Sequence, residues 1–408
     1  MTEYRQGIRE NSWQFALQLL TVFAVGLTIG SERNVVPIIG RDILSVESFL
    51  VIGSFVVSFG FVKAILNLYG GKWAEEYGRK PILIAGWIVA LPIPIIIILA
   101  PNWWWITVGN VLLGINQGLS WSMSVNAKID LAGSERRGLA VGLDEALGYG
   151  GVAVGSWITG VIASRYSLRP EPFYFLLGVI VVGLVIAVLF VEETLPYAES
   201  EAADSDDEGS DLPFIEILKR ATYGDATLFA ASQAGSVEKF VDALVWIAYP
   251  LYLTSEGLNP AQVGVVVGVY GGVWGVLQIY TGKLADDIGR KPPVVSGMFV
   301  AGAGVLLTIL VSGYYEWTAA AGVTGVGMAL LYPNLITVVS DDAHPSWRAT
   351  GLGVYRMWRD AGYGFGAILI GVAVDVFSID AAFYLVAVSM FVSGGITLIW
   401  MRETHPDM

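Results

Sequence analysis

Runs of about twenty apolar residues recur along the whole of this chain, and that recurrence constrains it more than anything else, because soluble folds break their apolar stretches every few residues. Twelve such segments can be placed. Six run from Trp13 to Val36, Glu47 to Tyr69, Pro81 to Ala100, Trp104 to Asn126, Leu139 to Ile162 and Phe173 to Val191. Six more run from Thr227 to Leu253, Ala261 to Thr281, Pro292 to Ser312, Trp317 to Ser340, Ala349 to Val376 and Ala381 to Met401. Each can cross a ~30 Å hydrocarbon layer at ~1.5 Å per residue, and each must be helical because lipid offers the backbone no hydrogen-bond partner. Composition agrees: 55% of the 408 residues are hydrophobic and 14% charged, too few polar side chains to cover a soluble protein of this length. The expected class is an all-α membrane protein with twelve transmembrane helices.

Arg5 and Arg9 precede the first segment as in a secretory leader, but the segment is too long and ends in SERNVVP rather than a small-residue cleavage site, so a retained span is expected. Cysteine is absent, and the two histidines, His344 and His405, fall in a polar loop and the tail. The apolar helices therefore hold neither a thiolate nor an imidazole, and no enzyme, metal site or cofactor is expected.

Ten acidic residues between Glu192 and Glu216, in a chain of formal net charge -13, read as a solvated, disordered linker. The expected organisation is a six-helix bundle over 1–191, an acidic linker over 192–226, a second bundle over 227–401 and a tail over 402–408. Lys and Arg favour the cytoplasmic face. With the amino terminus inside, fifteen of the 23 fall on cytoplasmic segments and four, Arg33, Arg41, Arg165 and Arg169, in outer loops. That balance predicts a plasma-membrane protein with both termini and the linker in the cytoplasm.

The halves echo each other 211 residues apart: GKWAEEYGRKP from Gly71 to Pro81 matches GKLADDIGRKP from Gly282 to Pro292. In the same frame Gly114 meets Gly325, Trp121 meets Tyr332 and Asp130 meets Asp341, while FVEETLP after the sixth segment resembles WMRETHP after the twelfth. The chain is thus a duplicated six-helix unit, an arrangement that places a substrate site between halves near the midplane.

On these motifs the sequence resembles the major facilitator superfamily, whose signature between helices 2 and 3 is G-x-x-x-D-[RK]-x-G-R-[RK]. The first copy carries Gly71, Glu75, Gly78, Arg79 and Lys80, and the second Gly282, Asp286, Gly289, Arg290 and Lys291. The acidic position is Glu in the first copy, and the basic position after it is acidic in both. The resemblance implies two pseudo-symmetric six-helix bundles and a cytoplasmic gate in which Arg79 pairs with Asp130 and Arg290 with Asp341, breaking as the protein opens. The helix 4 arginine typical of drug–proton antiporters is Gly114 here, although Gln117 and Gly118 follow, and the helix 5 glycine motif lacks its proline.

Nine charges lie where lipid should be: Lys63, Asp144, Glu145, Glu238, Lys239, Asp242, Arg356, Arg359 and Asp360. At ~2.5–3.5 kcal/mol each they would cost on the order of 25 kcal/mol if lipid-exposed, so they must face each other or a watery cavity. Glu238, Asp242 and Trp246 form one stripe, and Glu238, Asp242 and Asp360 are expected to include a protonatable coupling group. Asn116, Gln117, Trp121 and Ser124 on helix 4, Trp246 on helix 7, Tyr332 and Asn334 on helix 10, and Asn67, Trp274 and Gln278 on helices 2 and 8 are the expected polar and aromatic substrate pathway. Glycine rows at Gly151 and Gly155, and at Gly264, Gly268 and Gly272, are expected to pack helix 5 on helix 8.

The expected function is a secondary active transporter working by alternating access, proton-coupled and exporting amphipathic compounds. An uptake symporter or facilitator for a polar nutrient, and a transporter-like sensor, are the alternatives. Its partners would be a small-molecule substrate, a proton and the bilayer, with no nucleic acid, and the protein is expected to be a monomer.

Overall fold

The computed structural model describes residues 5–133, 136–203, 212–343 and 347–405, with the side chains at 71, 72, 75, 137, 138, 201–203, 286, 348 and 349 outside that description. The first apolar segment is two helices, α1 (Ser12–Arg33) and α2 (Val36–Asp42), the second opening with Pro37, whose missing N–H a helix start does not need. The third is likewise divided, α4 (Arg79–Ala90) from α5 (Pro92–Leu99), just ahead of Pro92. Between them runs α3 (Phe49–Tyr77), and α6 (Trp103–Ala132), α7 (Arg137–Arg165) and α8 (Glu171–Leu189) complete six crossings.

The stretch expected to be a disordered linker is partly folded. It contains α9 (Leu195–Ala203), α10 (Phe214–Lys219) and a π-turn over Arg220–Gly224, because Ile217 and Ala221 are apolar enough to bury. Residues 204–211, its most acidic part, lie outside the described residues. The second six crossings are α11 (Ala226–Ser255), α12 (Pro260–Ile288), α13 (Lys291–Leu310), α14 (Tyr314–Asp342), α15 (Arg348–Val376) and α16 (Ile379–Trp400). Pro250 and Pro333 sit inside continuous helices.

Among the described residues, nine of the twelve crossings are long and apolar enough to span a bilayer on composition alone. The other three, α6, α11 and α15, are equally long but carry the Asn, Gln and Ser residues of α6 and the charges of α11 and α15. They are tolerated because their polar groups point inward: 23 of the 30 residues of α11 are buried. With twelve crossings, the start of α1 and the end of α16 lie on one face, called here the termini face.

Two helix pairs join the halves: α3 packs on α15, and α7 on α12. Small residues make this possible. A Cβ on Gly60 would lie 2.6 Å from Cβ of Tyr363, and one on Gly264 would lie 2.8 Å from the Ser156 carbonyl. Gly264 and Gly268 face α7 as the spacing predicted. Gly151 and Gly155 do not face α12: added Cβ atoms there would meet the carbonyls of Phe23 and Leu27 on α1 at 2.2 and 2.7 Å, so that row packs the first half internally. Away from the termini face the halves are also bonded. Asp375 accepts from Ser48 Oγ and the backbone of Phe49 and Leu50, at 2.5, 2.6 and 3.1 Å, and Arg41 Nη1 donates to the Leu251 carbonyl at 3.2 Å.

Candidate functional site

The repeated glycine motif forms the same turn twice. Gly78 (φ 90°, ψ 165°) ends α3, and Gly289 (φ 93°, ψ 164°) ends α12, a conformation open to glycine and strained for any side chain. Arg79 Nε reaches Asp130 Oδ2 at 2.9 Å and Arg290 Nε reaches Asp341 Oδ2 at 3.3 Å, as the resemblance implied. Each pair lies within one half, so it braces a turn and does not bridge the bundles. Gly71 lies in α3 and Gly282 in α12, while the side chains of Glu75 and Asp286, and all of His344, lie outside the described residues.

Two further residues complete this assembly. Glu193 accepts from the backbone N–H of Arg79 and Lys80 at 2.8 and 3.0 Å, and Glu403 accepts from Arg290 and Lys291 at 2.7 and 3.1 Å. Each carboxylate thereby satisfies orphan donors at the start of the next span, α4 or α13. Partial burial opposes the Glu403 charge, but backbone N–H groups of Arg290, His405, Lys291 and Thr404 outweigh it and hold the carboxyl below its ordinary pKa. The signal for both glutamates was the echo of FVEETLP in WMRETHP.

The intramembrane charges meet at the centre. Asp242 accepts from Lys239 Nζ at 2.9 Å, Arg33 Nη1 at 3.0 Å, Tyr270 Oη at 2.9 Å and Tyr363 Oη at 3.1 Å. Lys239 also bonds Glu238 at 3.1 Å and lies 4.7 Å from the Trp274 ring centre. Asp360 accepts from Arg359 Nε at 2.7 Å and from Asn67, with Lys63 Nζ 3.6 Å away. Arg33–Asp242 and Lys63–Asp360 both link one half to the other. Asp144 is paired with Lys128 at 2.6 Å, inside the first half.

Arg33 and Lys128 correct the charge reading. Arg33 is one of the four expected in outer loops and Lys128 one of the fifteen expected on cytoplasmic segments, yet both are almost completely buried. Arg33 is the last residue of α1, where the adjoining polar residues made the apolar run look finished. Glu32 beside it is fully buried too and accepts from Asn110 Nδ2 at 2.9 Å.

A cavity lies between these ion pairs and the termini face. Its lining includes Lys63, Asn67, Trp121, Glu145, Tyr149, Tyr332, Arg356 and Arg359. Glu145 and Arg356 each sit eight residues into α7 and α15, about 12 Å along the helix from the termini end. The repeat frame relates two pairs of lining positions: Trp121 corresponds to Tyr332, aromatic in both halves, and Glu145 to Arg356, opposite in charge. Glu145 Oε1 accepts from Trp121 Nε1 at 3.3 Å, while its Oε2 is buried without a hydrogen-bond partner among the described residues.

The remaining candidates divide. Trp274 stacks on Tyr149 with centroids 3.6 Å apart, and its indole N–H and both amide atoms of Gln278 find no partner among the described residues. Asn116 bonds the Gly86 carbonyl at 3.0 Å, Gln117 bonds Thr28 Oγ1 at 2.9 Å, Ser124 bonds the Gln18 carbonyl at 3.1 Å and Asn334 bonds the Leu330 carbonyl at 2.8 Å. These four join backbone and helices and do not line the cavity. Trp246 is fully buried against Phe55, Phe59 and the Arg33 guanidinium.

A family model described as Major Facilitator Superfamily matches residues 19–240 and 234–408. Multidrug resistance protein 2 of Bacillus subtilis is 23% identical over 403 residues, covering 98% of each chain. The class G tetracycline resistance protein of Vibrio anguillarum is 24% identical over 364 residues, covering 86% of this chain and 89% of the relative. The structure of the xylose transporter XylE from E. coli, in a partially occluded inward open conformation, superposes with a TM-score of 0.74 at 15% identity, covering 96% of this chain and 99% of that one.

Proposed function

The chain belongs to the Major Facilitator Superfamily, and from that premise we propose that it is a proton-coupled exporter of amphipathic compounds. It works by alternating access in the plasma membrane, as a monomer with both termini in the cytoplasm. The observation that carries this reading is a polar, aromatic cavity between the halves, with the halves bonded to each other beyond it, as an inward-facing transporter requires. The multidrug and tetracycline resistance proteins among the relatives support export of amphipathic solutes.

Coupling is assigned to the buried carboxylates. Asp242 and Asp360 are each paired with two cations, whereas Glu32, Glu145 and Glu238 each keep one oxygen that no donor meets among the described residues, and of these Glu145 lines the cavity and Glu238 shares Lys239 with Asp242. A proton settles most readily on a carboxylate without full compensation, so Glu238 and Glu145 are the leading carriers. Purified protein in proteoliposomes loaded with a pH dye, given a panel of amphipathic solutes, should move protons as solute moves. Glu238→Gln and Glu145→Gln should each weaken that coupling, and full dependence on the proton gradient in both variants would remove these residues from the role. No solute movement under any gradient would overturn the transporter reading.

A further inference from the structure

The proposed reading leaves the charge of the solute open, and the cavity lining bears on it. Three cations, Lys63, Arg356 and Arg359, reach the lining against one carboxylate, Glu145. Asp360, just behind, is shared by Lys63 and Arg359 at 3.6 and 2.7 Å, so one anion serves two cations. Arg356 has no ion pair or hydrogen bond of its own among the described residues, and it is only partly buried.

A guanidinium that shares a cavity with one carboxylate, Glu145, but has no anion in hydrogen-bonding contact is an unmet demand, and its planar fork fits a carboxylate or sulfonate through two parallel hydrogen bonds. Beside it stands an aromatic shelf. Tyr149 lies 5.6 Å from Trp121 and 5.7 Å from Tyr332, centroid to centroid, in edge-to-face geometry, and with Trp274 already against Tyr149 these three lining rings offer the cavity their remaining apolar edges. Arg356 and Glu145, one repeat apart, oppose each other in charge on the two halves. An anionic head group is drawn to Arg356 and repelled by Glu145, so a bound solute is oriented toward the second half.

We infer that the solute is an aromatic organic anion, its carboxylate or sulfonate held by Arg356 and its ring on the Trp121, Tyr149 and Tyr332 shelf. This rests on the transporter reading and adds the substrate class. A cationic amphipath meets the opposite balance, three like charges and one counter-ion.

The test is a matched series on one scaffold: 2-naphthoate, 2-naphthalenesulfonate, 2-naphthamide and 2-naphthylmethyl-trimethylammonium. Binding is followed by calorimetry on the purified protein and exchange by counterflow in proteoliposomes. The two anions should bind at least about tenfold more tightly than the amide or the ammonium compound, as one charge-assisted contact provides. Arg356→Gln should erase that preference and Arg356→Lys should keep only part of it, since an ammonium supplies the charge without the fork. Should Arg356→Gln fail to fold, Glu145→Gln provides a second reading, since removing the one opposing carboxylate should strengthen anion binding and leave the amide unchanged. Tighter binding of the ammonium compound, or no binding by any of the four, overturns the inference. If the anions bind with this preference but none exchanges across the membrane, the substrate class stands and the transport reading falls.

Discussion

Arg33 and Asp242 are 209 residues apart in the chain and 3.0 Å apart in the fold, one on each half, and both are almost completely buried. Among the described residues, their bond is one of two ion pairs that tie the bundles together at the centre. Asp242 also serves Lys239 and two tyrosines, so the two partners should not be equivalent on removal. Asp242→Asn leaves two buried cations short of a counter-ion and should cost ~3–5 kcal/mol of stability. Arg33→Gln leaves Asp242 still paired with Lys239 and should cost less. Thermal unfolding in lipid nanodiscs orders the two variants, and the double variant measures their coupling.

Gly78 and Gly289 adopt matching positive φ, so alanine at either is expected to cost ~1–3 kcal/mol in backbone strain. At Gly78 an added Cβ would also lie 2.4 Å from Glu193 Oε2, disturbing the helix start that this carboxylate holds. Gly282, in the same motif, is helical with open space around it, and Gly282→Ala should be neutral or slightly stabilising. Melting temperatures of the three variants check the contrast.

Glu403 makes a pH prediction. Its carboxyl pKa in the fold is below the ordinary 4.5, so its contribution is fully present above that value and is lost as pH falls through the lower, folded value. The wild type should therefore be more stable than Glu403→Gln at pH 7, and the gap should narrow as the medium is acidified below about pH 4.5. Melting curves of both proteins across that range are the measurement.

The twelve crossings, the duplication and the pairing of the motif arginines with Asp130 and Asp341 were readable because lipid enforces length and periodicity, and because a duplicated chain carries its own internal alignment. What could not be read was direction. Asn116, Gln117 and Trp121 lie within two turns of α6, but a one-residue step turns a helix side chain by about 100°. Asn116 and Gln117 therefore meet α4 and α1, while Trp121 meets the cavity. Arg33 was hidden for a related reason: a charged residue at the end of an apolar run looks like a loop until its partner on the other half is known.

That division is itself testable. Asn116→Ala and Gln117→Ala each remove an interhelical hydrogen bond worth ~0.6–1.7 kcal/mol in a membrane, so both should melt earlier while transporting normally once folded. Trp121→Ala removes a cavity wall and the donor to Glu145, and should lose transport even as folded protein, besides melting earlier as a buried large-to-small change does. Parallel melting and proteoliposome assays separate the two patterns.

Asp375 at the end of α15 caps the start of α3 across the seam remote from the termini, so it favours the state in which that side is closed. Loss of its charge in Asp375→Asn should weaken the closed state by ~1–2 kcal/mol, a shift of roughly 5- to 30-fold toward the state open on that side. The native chain has no cysteine, so a single introduced thiol reports alone. Gly53 suits the purpose, because a Cβ there would sit 3.3 Å from the Ala367 carbonyl on the opposing half. Gly53→Cys should be labelled from the side away from the termini by an impermeant maleimide slowly in the parent, and several-fold faster when combined with Asp375→Asn. Equal labelling rates would mean that the Asp375 cap does not hold the two halves closed.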